Sequence, residues 1–302
     1  MKFVSAFAGL LFWISGAYAH EAIFAWTYTT DLTPKGHGEF EQWITPRWDK
    51  EHGSYGVIDF REEFEYGLTD NFQIALYLNH RYIYANDDVP VANPAHPKSL
   101  LPGVFETGGE DVHAAHDPAA PFESYHFESV SFESIYRLLS PYKAPIGLAL
   151  YFEPSIGDQE TELEWKILLQ KNWLEDRLVW ALNINYELEF EKEEKGEWEG
   201  DGVFEWFTGI SYRFISNWSA GLEFRNHHEF ADATVHEHSA YFIGPTIHYG
   251  GERWWATVGF LRQLPIGQAF SQDNKEFAAH DGYIFGDEHE EYYVRLRVGF
   301  SF

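Results

Sequence analysis

Apolar and polar residues alternate with period two along most of the chain, most cleanly at its end. From 292 to 302 one face reads Tyr292, Val294, Leu296, Val298, Phe300, Phe302; the other reads Tyr293, Arg295, Arg297, Gly299, Ser301. Neighbouring side chains of a strand point to opposite sides, so this stretch is a strand with one apolar and one polar face. The same pattern recurs and predicts twelve strands: 37–48, 54–66, 71–84, 123–139, 147–156, 161–173, 177–190, 203–214, 218–230, 238–249, 253–264 and 289–302.

The connections sort by length. Turns at 67–70, 141–145, 174–176, 215–217 and 250–252 are short, whereas 85–122, 191–202 and 265–288 are long, polar and rich in Gly, Asp, Glu and His. Tyr66, Phe72, Trp173, Phe214, Trp218, Tyr249 and Trp254 flank the short turns, as aromatic residues do at a membrane interface. A soluble sandwich has no reason to sort its loops by parity; a barrel with short turns at one end and long loops at the other does.

The terminal Phe302, with the alternating aromatic and aliphatic residues before it, resembles the C-terminal targeting strand of Gram-negative outer-membrane β-barrel proteins. The resemblance implies an all-β fold: a closed antiparallel transmembrane barrel of about twelve strands, tilted by roughly 40°, with short periplasmic turns, long extracellular loops and a periplasmic C-terminus. An even strand number agrees with single-chain barrels of this kind. Implied partners are the lipid bilayer, lipopolysaccharide, and the outer-membrane assembly machinery acting on the strand that ends at Phe302.

At the other end, Lys2, the apolar run Phe3 to Ile14 and Ala17-Tyr18-Ala19 form a secretory signal peptide over 1–19. The apolar run is too short for a spanning helix, which needs ~20 residues. Residues 20–36 then form a periplasmic N-terminal segment or a plug, and 37–302 the barrel. There is no cysteine, so an exported chain must find its stability in a core or a closed sheet. The net charge is −27, and −28 once Lys2 leaves with the leader, which excludes nucleic acid as a partner and favours cations.

Pairing 161–173 with 177–190 around Glu175-Asp176 sets Trp165 opposite Tyr186 and Ile167 opposite Ile184. It also sets Glu164 opposite Glu187 and Glu162 opposite Glu189 on the polar face. Facing like charges repel, so these carboxylates need cationic neighbours or a bound cation. Arg61, Arg81, Lys166, Arg213, Arg225, Arg295 and Arg297 share the inward parity. The lumen is thus either a salt-bridged interior or a cation-favouring constriction.

Candidate metal ligands gather at one hairpin tip: His227, Glu229, His236 and His238, with His236 and His238 spaced as a pair on one strand face. His96, Glu110, Asp111, His113, His116 and Asp117 in the longest loop, and a free His20 after cleavage, offer weaker sets. The competing reading is a solvated polar loop, and no resident cofactor is expected. Catalysis is not expected either. His80 and His228 fall on outward parity, as does Glu62 in mid-strand, where a bulge or an unusual lipid-facing carboxylate is required. No Ser-His-carboxylate set can be paired by register, and G-x-S-x-G, H-E-x-x-H and a phosphate loop are all missing. The sequence therefore reads as a passive channel for small solutes with a cation-favouring lumen. A metal-binding or structural surface barrel is the alternative, and a lipid-modifying enzyme a distant third.

Overall fold

The computed structural model describes residues 22–50, 54–86, 121–158, 160–192, 198–271, 275, 285–286 and 289–302. The leader expected over 1–19, His20 and the loop candidates from His96 to Asp117 lie outside them. Thirteen strands follow in chain order: Gly38–Trp48 (β1), Ser54–Thr69 (β2), Phe72–Asn86 (β3), Phe122–Leu139 (β4), Gly147–Gly157 (β5), Glu160–Trp173 (β6), Leu178–Lys192 (β7), Trp198–Ile215 (β8), Trp218–Ala231 (β9), Val235–Gly250 (β10), Trp254–Gln263 (β11), Gln268–Ala269 (β12) and Tyr292–Ser301 (β13). Each strand from β1 to β10 pairs antiparallel with its successor, β11 pairs with β13, and β13 pairs with β1. Twelve strands therefore close on themselves and leave no edge, and the two-residue β12 is an addition on β10.

Closure follows from the alternation. Outward positions such as Phe64, Leu76, Phe132, Leu150, Ile167, Ile184, Leu222, Val258 and Phe300 stay exposed and apolar. Their inward neighbours, among them Glu63, Tyr77, Glu133, Tyr151 and Asn183, are buried. A soluble fold would bury the first set; a bilayer solvates it. The aromatic residues flanking the short turns interlock there, with ring centroids 5.0 Å apart for Trp218–Tyr249 and 4.9 Å for Tyr249–Trp254.

The register of the β6–β7 pair is the expected one: Trp165↔Tyr186, Ile167↔Ile184, Glu164↔Glu187 and Glu162↔Glu189. The turn itself is longer than two residues. The ladder ends at Trp173↔Leu178, and Leu174, Glu175 and Asp176 all take positive φ (54°, 56° and 60°). Backbone pairing also carries β7 and β8 outward to Lys192↔Trp198, through a stretch that the sequence predicts as loop. Pairing geometry overrides the glycines and charges that mask alternation there.

Candidate functional site

The interior is organised around residues 22–33, which lie inside the ring rather than beside it. The segment leaves the short-turn rim, where Gly36 N donates to Gly67 O at 2.8 Å, and crosses the half of the barrel nearer the short turns. It has no regular secondary structure, so its backbone groups need other partners. Inward side chains of the wall supply them. Glu223 on β9 accepts from the backbone N–H groups of Ala25 (2.8 Å), Trp26 (2.9 Å) and Thr27 (2.8 Å), and from the Thr27 hydroxyl at 3.0 Å. Asn183 on β7 pairs with Tyr28 in both directions, at 2.6 and 2.9 Å. Gln170 on β6 accepts from Thr30 N at 2.6 Å, and Gln73 on β3 accepts from Thr33 N at 3.0 Å.

Side chains complete the fit. Phe24 packs on Val179 and Ala181; Ala25 and Trp26 pack on Ala240, Phe242, Leu261 and Tyr293; Leu32 packs on Ile135, Ala149, Tyr151 and Leu168. Two wall glycines allow the close approach. A Cβ on Gly209 would stand 2.6 Å from the Phe24 ring, and one on Gly259 would collide with Ala25 and Trp26. A cavity beside the segment, lined in part by Thr27, Tyr28, Glu63, Glu65 and Arg297, measures about 10 Å³, no more than one water. Glu41, Glu133, Gln170, Asn183 and Thr257 are fully buried at this level.

The lumen cations predicted from parity hold this interior together. Arg297 donates to Glu41 (2.7 Å) and lies 3.9 Å from the Trp43 ring. Arg295 reaches Thr45 at 3.0 Å and sits over the Trp26 and Trp43 rings at 5.3 and 5.1 Å, which ties it to the segment. Farther toward the long loops, Arg61 binds Glu153 at 3.1 Å, and Arg81 binds Asp59 (2.8 Å) and Glu128 (3.1 Å). Arg225 binds Glu205 at 2.5 Å, and Lys166 binds Glu164 at 2.7 Å. Arg47 joins Asp59 (2.9 Å) to Glu290 (3.2 Å). Burial opposes charge on Glu290, yet Arg47 and Lys50 hold its carboxyl below the usual range. Glu162, Glu164, Glu187 and Glu189 form the acidic patch on neighbouring strands that the register requires, all half-buried. Arg213 departs from the set: it is exposed at the short-turn rim, where its carbonyl accepts from Arg177.

The metal candidates divide in two. A bulge between His236 and His238 breaks the spacing expected to keep them on one face. His238 turns into the lumen and is 1% exposed. His236 instead contacts His228 Nδ1 at 3.0 Å and stacks on Phe270 at 3.9 Å. His227, Glu229 and His238 come together, and His289 joins them from the segment before β13. The strand expected from 289 begins at Tyr292, so parity gives His289 no orientation. Its one sequence signal is its place in the acidic Glu288-His289-Glu290 run. Glu223 and Glu205, absent from the candidates above, also carry inward parity and reach the interior.

Glu62 does face outward, with an unbroken register around it. Gln42 Nε2 donates to it at 3.1 Å and His80 Nε2 lies 3.4 Å away, so the lipid-facing carboxylate is clasped by polar neighbours without any reversal of parity.

Solved structures with the same fold include the outer-membrane channel COG4313 from Pseudomonas putida F1. It is 8% identical with a TM-score of 0.58, over 90% of this chain and 98% of that one. The NanC porin is 9% identical with a TM-score of 0.51, over 86% of this chain and 98% of that one. At these identities the likeness is one of fold: the outer-membrane β-barrel. No curated protein matches the sequence. Over residues 16–302 the chain matches, and belongs to, a family of unknown function, DUF6662.

Proposed function

We propose that the protein is a passive outer-membrane channel for small solutes whose resting lumen is filled by its own N-terminal segment. The observation that carries this reading is the docking of residues 25–33 onto inward Glu223, Asn183, Gln170 and Gln73, side chains from four different strands. A barrel needing only a solid interior could fill it with apolar side chains. This one lines its interior with carboxylates, guanidinium groups and amides that water can solvate when the segment withdraws. Both conditions are then stable: a docked segment satisfying those groups, or a hydrated pore.

In this reading the short turns and the C-terminus face the periplasm, and the segment enters from that side. The pore favours cations, because four carboxylates, Glu162, Glu164, Glu187 and Glu189, gather above the docked segment, where Lys166 binds Glu164.

Planar-bilayer recording of the full chain beside Glu223→Ala tests the proposal. The wild type should be shut most of the time with brief steps, and the variant should show the same unit conductance with long openings. Silence in both proteins would remove the channel reading; steady, equal currents would remove the role of the segment.

A further inference from the structure

The long-loop half of the lumen holds a cluster that the channel reading does not use. His227 and Glu229 on β9, His238 on β10 and His289 before β13 each direct one ligand atom to a common point, and these atoms all lie within 4.8 Å of one another. His238 Nε2 is 3.0 Å from His289 Nε2; Glu229 Oε2 is 3.5 Å from both His227 Nε2 and His238 Nε2. A tetrahedral ion with ligands at ~2.0–2.1 Å spaces them by about 3.4 Å along each edge. These three of the six separations fall within a few tenths of an ångström of that figure, and the other three, all under 4.8 Å, call for a further approach of the side chains onto the ion.

The surroundings fit the same conclusion. His227 Nδ1 lies 2.9 Å from Glu205 Oε1, and Arg225 Nε donates to the same oxygen at 2.7 Å. A carboxylate on the far nitrogen fixes the tautomer that leaves Nε2 as a ligand, the usual support of a metal-bound imidazole. By themselves the four side chains satisfy one another poorly. Two imidazole nitrogens face each other at 3.0 Å, which uses one proton between two rings, and the buried Nδ1 of His238 has no hydrogen-bond partner among the described residues. The side chain of Glu229 is 17% exposed while that of His238 is 1%, so the ligand set opens past Glu229 toward the long loops.

We propose that His227, Glu229, His238 and His289 form a binding site for a divalent first-row transition cation of the zinc class. Three imidazoles and one carboxylate favour such an ion over magnesium or calcium, which prefer oxygen ligands in larger numbers. His236, turned away by the bulge, is not a ligand. Because His289 lies in the return of the last long connection, the bound ion ties that return to the β9–β10 hairpin. The assignment stands whether or not the lumen conducts.

The test uses the full chain, folded in detergent and stripped with chelator. Calorimetric titration with Zn²⁺ should show one tight equivalent, and Co²⁺ should give the intense visible bands of tetrahedral coordination. Glu205→Gln should weaken binding ~10–100-fold. His289→Ala should weaken it at least as much and abolish the bands, with His236→Ala unchanged. His289 lies outside the strands, so its variant keeps the barrel even if His238→Ala does not fold. Equal tight binding in wild type and His289→Ala, or a weak octahedral Co²⁺ spectrum in the wild type, overturns the assignment. So does an equal loss of affinity in His236→Ala.

Discussion

Glu223→Ala strips the docked N-terminal segment of the acceptor for three consecutive backbone N–H groups, those of Ala25, Trp26 and Thr27. A buried donor left without an acceptor costs about 1–3 kcal/mol. Three of them give roughly 3–9 kcal/mol, and water entering the space of the lost side chain brings the effect to the lower end. About 3 kcal/mol is a shift of ~10²-fold in the docking equilibrium. The chain has no cysteine, so a single Thr29→Cys substitution reports on docking without background. Thr29 is 8% exposed, and its hydroxyl makes one weak local bond, accepting from Asp31 N at 3.3 Å. Where docking is fast relative to labelling, the rate of reaction with a charged, membrane-impermeant maleimide follows the undocked population. It should rise ~100-fold in the Thr29→Cys, Glu223→Ala double variant relative to Thr29→Cys alone. A rise of less than about threefold would refute the argument that this carboxylate holds the segment. Glu223→Gln should lie between: Ala25 bonds one oxygen and Trp26 and Thr27 the other, so either orientation of the amide sets NH2 against a backbone donor.

Gly209→Val drives a side chain into the ring of Phe24, which is fully buried, so it should displace the segment and make residues 22–36 sensitive to protease in the folded barrel; unchanged protection would contradict the close fit. Glu187→Gln with Glu189→Gln should lower the cation-to-anion permeability ratio by a factor on the order of 10, read as the reversal potential across a salt gradient; an unchanged potential would place the selectivity elsewhere. Ala233 sits in the β9–β10 turn at φ 52°, a left-handed conformation that costs a residue with Cβ about 1 kcal/mol, so Ala233→Gly should raise stability by that amount in urea titration, and a loss would show that its contact near Gly202 outweighs the backbone term.

The wall of the barrel is legible in the sequence because a bilayer outside and a polar interior within impose one rule on every strand. Alternation fixes which face Trp165, Ile167 and the four glutamates take, since a slip of one residue would turn every charge toward lipid, and the short turn at Glu175-Asp176 fixes their partners. The interior is less legible. Residues 22–33 carry no periodicity, and their partners Glu223, Asn183, Gln170 and Gln73 come from distant strands. Parity states that these side chains face inward but not at what height or against what. The bulge at His236/His238 reverses a neighbour relation that regular alternation would have kept. His289 precedes the last regular pairing, and only closure of the ring brings it to His227 and His238.

The central claim joins a current to the position of one segment, and a recording that watches both tests it most directly. Single-channel currents through Thr29→Cys would be followed as a cationic methanethiosulfonate reagent is added from the short-turn side. The introduced thiol is reachable only when the segment is out of the lumen. Modification should therefore proceed in step with openings and then hold the channel open, because the bulky charge cannot return to a buried place. Currents that flow while the thiol stays unmodified, or that do not change once it has reacted, would contradict the account.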